Sequence, residues 1–244
     1  MASILALTAM QMAEIDRIML EEFGVETMQL MEVAGRAVAV FARQRFLGVD
    51  ARGKRVVVLC GSGGNGGDGM VAARYLAAWG ASPEIWLGRR PVPGRGIAAH
   101  QLAILERLGV PIHEPAQSPT LPESDLVIDA LLGFSLSGAP TGETAALIRA
   151  ANAQPAPVVA VDLPSGLEAT EGTAYDPCIR ATATLTLALP KTGLLSPATR
   201  EVAGELVVAD IGVPAAAFAR IGVDVSPLFA TAEFLAIEEG ADRM

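Results

Sequence analysis

The chain has 244 residues, with 18 Lys plus Arg against 27 Asp plus Glu and a formal net charge of -9. Hydrophobic residues make up 51% and charged residues 18%, which excludes disorder over most of the length and provides for a substantial core. A pI near 4.8 argues against nucleic acid as the main partner, because a phosphate backbone needs a basic face. Small phosphorylated ligands stay open, since backbone amides bind them without net positive charge. Two cysteines, Cys60 and Cys178, and two histidines, His100 and His113, cannot build a disulfide framework or a zinc site, which points to a reducing compartment. No apolar run approaches the roughly 18 residues of a membrane span. The opening MASILALTAM lacks a basic stretch and argues against a signal peptide. A cytoplasmic protein with neither membrane nor nucleic-acid partner is expected.

Thr8 with Gln11 fits a capping box, and Met12, Ile15, Ile18 and Met19 follow at helical spacing. A second helix is predicted over 27–46, separated from the first by Gly24. The period then changes. Lys54-RVVVL-Cys60 is a run of β-branched residues that reads as a buried parallel strand. Beyond a glycine-rich segment, Met70 to Trp79 reads as a helix ended by Gly80. Pro83-EIWL-Gly88 is a second strand, and Ile97 to Leu108 a second crossover helix ended by Gly109. His113 to Ser124, with Pro115, Pro119 and Pro122, reads as a loop. Strands are predicted at Leu126-VIDALL, Val158-VAVDL, Thr182-ATLTLAL and, as the last, Leu206-VVADI, before Pro214 opens a short helix. This alternation implies one doubly wound, mostly parallel sheet with helices on both faces. Ligands in such sheets bind beyond the carboxyl ends of the strands, at the switch point of strand order.

Residues able to do chemistry fall just after strands. Gly61, Gly63 and Gly66 satisfy G-x-G-x-x-G between a strand and a helix, a setting in which backbone amides cradle a pyrophosphate at a helix N-terminus. Asn65 and Asp68 depart from an ordinary dinucleotide fingerprint. Asp68 reads either as a helix cap or as an acceptor for a ligand hydroxyl such as a ribose. Asp129 ends the LVIDALL run and precedes a loop bracketed by Gly133 and Gly138, able to wrap a ligand with backbone groups. Val161-DLPS-Gly166 brings Asp162 and Ser165 to a third strand end. Two carboxylates in one cleft need a cation or donors to neutralise them. Asn65, Asp129 and Ser165 offer oxygen atoms only, which suits a hard cation, favouring a monovalent ion such as potassium over magnesium. Lys191 reads as a solvated loop lysine, His100 and His113 as surface residues, and Cys60 as a small buried hydrophobe. The methionines of the first two helices read as core or dimer surface.

In this order and spacing, GSGGNGGDG, VIDALLGFSLSG and VDLPSG resemble the YjeF N-terminal domain family, the NAD(P)H-hydrate epimerases. The resemblance extends to Leu30-MEVAG-Arg36, Leu189-PKTGLL and Gly204-ELVVADIGVP, and so covers nearly the whole chain. It implies a three-layer αβα Rossmann-like domain over 1–244, often homodimeric, that interconverts the R and S forms of hydrated NADH or NADPH as a repair step. By position, Gly64, Asn65, Gly66, Gly67 and Asp68 match the hydrated-nucleotide site, and Asn65, Asp129 and Ser165 the potassium ligands. Gly133, Phe134, Ser135, Leu136, Ser137, Gly138 and Ala139 match the loop against the nucleotide, and Asp162 a substrate contact. Gly64 stands where the family carries the first Asn of GNNGGDG, which affects a substrate hydrogen bond rather than the site. The family's dehydratase activity belongs to another domain, so a separate dehydratase partner is expected.

Chemically, the hydrated carbon carries its hydroxyl beside the ring nitrogen, a hemiaminal. An acid protonates the departing hydroxyl, the nitrogen lone pair expels it, and water returns to the other face. Asp162 is the candidate for that acid and for stabilising the cation. Two other readings compete. Arg89 and Arg90, after the second strand, could meet a 2′-phosphate in an NADP-dependent oxidoreductase. A non-catalytic nucleotide-binding or scaffold domain of the same fold would have no need of Asp68, Asp129 and Asp162.

Overall fold

The computed structural model describes residues 5–225 and 228–237; residues 1–4 of the opening segment lie outside these, as do both ends of the 1–244 expected to form one domain. Thr8 and Gln11 close their reciprocal capping box, and α1 (Ala9–Glu21) buries Met12, Ile15, Ile18 and Met19. α2 (Thr27–Arg45) packs on the helix that follows the first strand. The remaining elements alternate as expected: β1 (Arg55–Cys60), α3 (Gly64–Ala78), β2 (Ser82–Leu87), α4 (Gly96–Arg107), β3 (Ile112–His113), β4 (Leu126–Ala130) and α5 (Gly142–Asn152). β5 (Val158–Val161), β6 (Ala183–Leu187), α6 (Arg200–Ala203), β7 (Glu205–Ala209), α7 (Ala215–Arg220) and β8 (Phe234–Ala236) complete the order.

The strands form one sheet in the order β3-β2-β1-β4-β5-β6-β7-β8, parallel throughout except for β8, which pairs antiparallel with β7. The order reverses between β1 and β4, so the switch point lies beside the glycine-rich segment. β4, β5 and β6 are buried at every residue, as strands covered by helices on both faces must be.

Four sequence expectations need correction. α3 starts at Gly64 rather than Met70, so most of the glycine segment is helix, and Gly63 rather than Asp68 stands at its cap. Glycine's poor helix propensity hid this, and tertiary packing overrides it. α5 has no counterpart among the predicted elements, and Leu206-VVADI is not the last strand, because β8 follows. His113 lies on edge strand β3, stacked on Trp86 at 3.9 Å, with Nε2 2.8 Å from Glu84. Its surface assignment stands, and so does that of His100.

The glycines of α3 divide into two groups. A Cβ on Gly66 would overlap the Gly61 carbonyl, and one on Gly67 would overlap the Met31 side chain, whereas at Gly63 and Gly64 it would meet nothing within 4 Å. The first group lets the helix press on strand and neighbour; the second leaves open backbone at the helix start. Gly66→Ala is therefore expected to cost at least about 1–3 kcal/mol through overpacking, while Gly64→Ala leaves stability level or slightly raised. Denaturant unfolding of the two variants beside the parent checks this.

Candidate active site

The carboxyl ends of β1, β4, β5 and β6 open on one cleft of about 850 Å³, within the range of roughly 300–1,000 Å³ typical of ligand sites. Asp16, Asp68, Asp162 and Lys191 line one end of it. Gly61, Asn65, Leu132 and Phe134 line it after β1 and β4, and Arg89 with Thr144 lines it after β2, on the other side of β1 from β5 and β6, with Thr141 close by in sequence.

Asp162 follows β5 directly, in the left-handed region at φ 66, with its N–H donating to the Leu185 carbonyl at 2.8 Å. That conformation is costly for a residue with a Cβ and turns the side chain back toward β6. There the Leu187 N–H donates to Asp162 Oδ1 at 3.1 Å and the Thr186 hydroxyl donates to the same oxygen at 3.3 Å. Lys191 closes an ion pair on the same oxygen, and its Nζ also donates to the Leu187 carbonyl at 3.0 Å. The expected solvated lysine is thus a correction: Lys191 is only 1% exposed. Its backbone is held by Leu7, whose N–H donates to the Pro190 carbonyl and whose carbonyl accepts from the Thr192 N–H, both at 2.9 Å. The sequence signal was available. An Asp and a Lys, each following one of two strands that pair side by side, converge once the sheet order is known.

Asp68 sits in the second turn of α3, buried, with no hydrogen bond to its carboxyl among the described residues. Desolvation holds its pKa well above the ordinary carboxylate range, the charges of Asp162 and Asp16 add to the rise, and Lys191 opposes it. Asp16 of α1, which the sequence did not single out, is exposed and lines the cleft. Desolvation against the cleft wall nonetheless pushes its pKa up to about 6, with Lys191 opposing.

Asn65, Asp129 and Ser165 also come together. Asp129 is 0% exposed and accepts from the Ser165 N–H at 2.7 Å, Ser165 Oγ at 2.6 Å and the Leu131 N–H at 3.3 Å. Burial outweighs those three bonds and raises its pKa to about 6. The Leu132 N–H donates to Ser165 Oγ at 2.9 Å, and Asn65 Nδ2 donates to the Leu132 carbonyl at 3.0 Å, leaving Asn65 Oδ1 for other partners. The cluster thus gathers one carboxylate with amide, hydroxyl and carbonyl oxygens. These are hard oxygen donors carrying a single carboxylate, a set able to hold a hard cation rather than zinc.

Of the other expected nucleotide contacts, Gly64, Gly133, Phe134, Ser135, Leu136 and Ala139 line the cleft. Gly66 and Gly67 are buried in packing behind it, and Ser137 and Gly138 are not part of its wall. A Cβ on Gly133 would make an ordinary contact with Asn65 Cβ, at 3.4 Å.

A β3-β2-β1-β4 order, a glycine-opened helix after β1 and a cleft across the switch point are the features of the dinucleotide-binding class of α/β domains. Residues 27–193 match the family described as YjeF-related protein N-terminus, and the chain belongs to that family. It is 42% identical to an NAD(P)H-hydrate epimerase of Dehalogenimonas lykanthroporepellens over 91% of this chain and 87% of that one. It is 41% identical to a bifunctional NAD(P)H-hydrate repair enzyme of Moorella thermoacetica over 85% of this chain, which spans 40% of that longer protein. Among solved structures, yeast ynu0 superposes with a TM-score of 0.80 at 26% identity, covering 96% of this chain and all of the yeast one.

The buried ion pair generates a prediction. Lys191→Met strands the Asp162 carboxylate without its cation and should lower stability by about 3–5 kcal/mol. Adding Asp162→Asn to it should recover a large part of that loss. A double-mutant cycle in denaturant measures both.

Proposed function

We propose that the protein is an isomerase that interconverts the R and S epimers of hydrated NADH and NADPH. The observation that carries this reading is the charge arrangement at the acidic end of the cleft. Three carboxylates, Asp16, Asp68 and Asp162, face a single ammonium, Lys191, which is committed to Asp162. The names of the relatives at 42% and 41% identity support it. An ordinary oxidoreductase is not favoured by them, and a bare scaffold would not need buried carboxylates.

The tasks of the reaction divide between two carboxylates. Asp68, whose neutral form is favoured, gives its proton to the substrate hydroxyl; the C–O bond breaks, water leaves with the bonding pair, and the nitrogen lone pair forms a C=N⁺ double bond. Asp162, oriented by Lys191, Thr186 and the Leu187 N–H, faces the developing cation and stabilises it. Water then adds to either face and returns a proton to Asp68. Asp16 at the rim links that carboxyl to solvent. Gly63, Gly64 and the loop from Gly133 to Ala139 hold the phosphates and ribose through backbone groups.

Asn65, Asp129 and Ser165 would hold a potassium ion, which supplies positive charge beneath the nucleotide-binding loops. Met10, Leu20, Phe23 and Val33 are large apolar side chains exposed on α1, α2 and the turn between them, which supports a homodimer through the N-terminal helices. The length of the bifunctional relatives supports functional pairing with a separate dehydratase. Cys60 and Cys178 are free thiols, and no helix among the described residues is long and apolar enough to cross a membrane; both accord with a cytoplasmic setting.

The test is to supply one pure epimer of the hydrate and follow the other by chromatography. Asp162→Asn, which removes the charge facing the cation, should lower the rate by roughly a hundred- to a thousandfold, with a modest change in nucleotide affinity. Asp68 must be protonated to act, so the parent rate should fall as pH rises through its raised pKa. Asp68→Asn should be slow and lack that alkaline limb. Asp129→Asn should lose activity in a way that excess potassium partly restores.

A further inference from the structure

The end of the cleft remote from the carboxylates carries a feature that epimerisation at the ring does not use. β1 and β2 end in register, Cys60 opposite Leu87, so the next residues of β2 emerge beside the glycine turn after β1. Gly88 donates to the Cys60 carbonyl at 3.0 Å, and a Cβ on it would press to 2.8 Å on Leu131 and 3.0 Å on Thr144. A side chain here would have to displace the Leu131 and Thr144 side chains, and Arg89 follows at the wall of the cleft.

The two neighbouring arginines differ. Arg90 is taken up by Glu106 and Glu114. Arg89 is exposed to the cleft and makes no ion pair or hydrogen bond through its side chain among the described residues. The other cations of the cleft are committed, Lys191 to Asp162 and Arg17 to Glu14, Glu21 and Glu22. Arg89 is thus the one cation lining this cleft whose charge no carboxylate of the described residues takes up. Beside it begins α5, eleven residues long, whose N-cap Thr141 makes no side-chain capping bond and lines the same cleft. Its first N–H groups and dipole favour an anion. Glu143 in that first turn opposes this, its carboxylate favoured in the charged form by its own backbone N–H and by Gln117 Nε2 at 2.7 Å, so Arg89 rather than the helix supplies the positive charge here.

A nucleotide laid across the switch point, with its hydrated ring at the carboxylates, carries its adenosine ribose toward the end of β2. On the epimerase reading, therefore, we propose that Arg89 receives the 2′-phosphate of hydrated NADPH and makes that nucleotide the preferred substrate over hydrated NADH. The guanidinium offers a bidentate fork to the phosphate, and Thr141 with the α5 amides flanks it. The 2′-hydroxyl of hydrated NADH offers no charge to that fork.

The experiment compares the parent, Arg89→Gln and Arg89→Lys in two measurements. In the first, the ratio of kcat/KM for hydrated NADPH over hydrated NADH should exceed one in the parent and fall roughly ten- to a hundredfold in Arg89→Gln, through KM; Arg89→Lys should keep a large part of it. In the second, calorimetry should show adenosine 2′,5′-bisphosphate binding the parent more tightly than adenosine 5′-monophosphate, with Arg89→Gln erasing the difference. A ratio that Arg89→Gln leaves unchanged, or equal affinities in the parent, overturns the assignment. If the parent prefers the bisphosphate through Arg89 but does not epimerise, the proposed reaction fails while the phosphate subsite stands.

Discussion

An ammonium buried against a carboxylate at the mouth of a parallel sheet sets the terms for the rest of the site. Asp162 and Lys191 are 5% and 1% exposed, so neither charge is tolerable without the other. The pair exists only because β5 and β6 are neighbours, because Asp162 adopts a left-handed backbone, and because the segment around Leu7 pins the chain on both sides of Lys191. Once Lys191 is committed, the cleft has no further buried cation for Asp68, and desolvation decides that carboxyl's protonation. Two carboxyls that line one cleft thus stand in different environments, Asp162 ion-paired and Asp68 desolvated without a partner among the described residues, a general route by which one fold separates their roles.

The glycine segment serves a second constraint, close approach. α3 lies against β1 and β4 so tightly that Gly66 and Gly69 leave no room for a side chain, and that contact brings Asn65 and Asp68 over the strand ends. The same closeness puts Asn65 within reach of the Leu132 carbonyl and, through Leu132, of Ser165 and Asp129. Three loops from β1, β4 and β5 are in this way tied into one network behind the cleft wall. A nucleotide can then meet a rigid backbone surface, which suits recognition by amides rather than by surface lysines.

Much of this was legible in the sequence. The β-branched runs marked the buried parallel strands, and the Asp and Asn residues following them marked the rim, because strand-end position follows from the alternation alone. Asn65, Asp129 and Ser165 lie together in one hydrogen-bond network, as strand-end position alone implied. The parts that were not legible depend on three-dimensional facts. Gly64 to Gly69 read as loop because propensity penalises glycine, although packing makes it helical. Lys191 read as solvated because burial of a lysine cannot be inferred without its partner, and Asp16 drew no notice because α1 has no fixed position over the sheet until it folds. β8 is three residues long and antiparallel, too short for any periodicity to show.

The central chemical claim is that the hydroxyl leaves as water and a different water returns to a cation held by carboxylates. The most direct measurement is epimerisation of one pure hydrate in ¹⁸O-enriched water, with both epimers analysed by mass spectrometry during the first turnover. Cleavage of the C–O bond predicts one labelled oxygen in each newly formed epimer, at the rate of epimerisation. Rapid epimerisation that keeps the original oxygen would mean that the ring opens at its C–N bond instead, and the roles assigned to Asp68 and Asp162 would not stand.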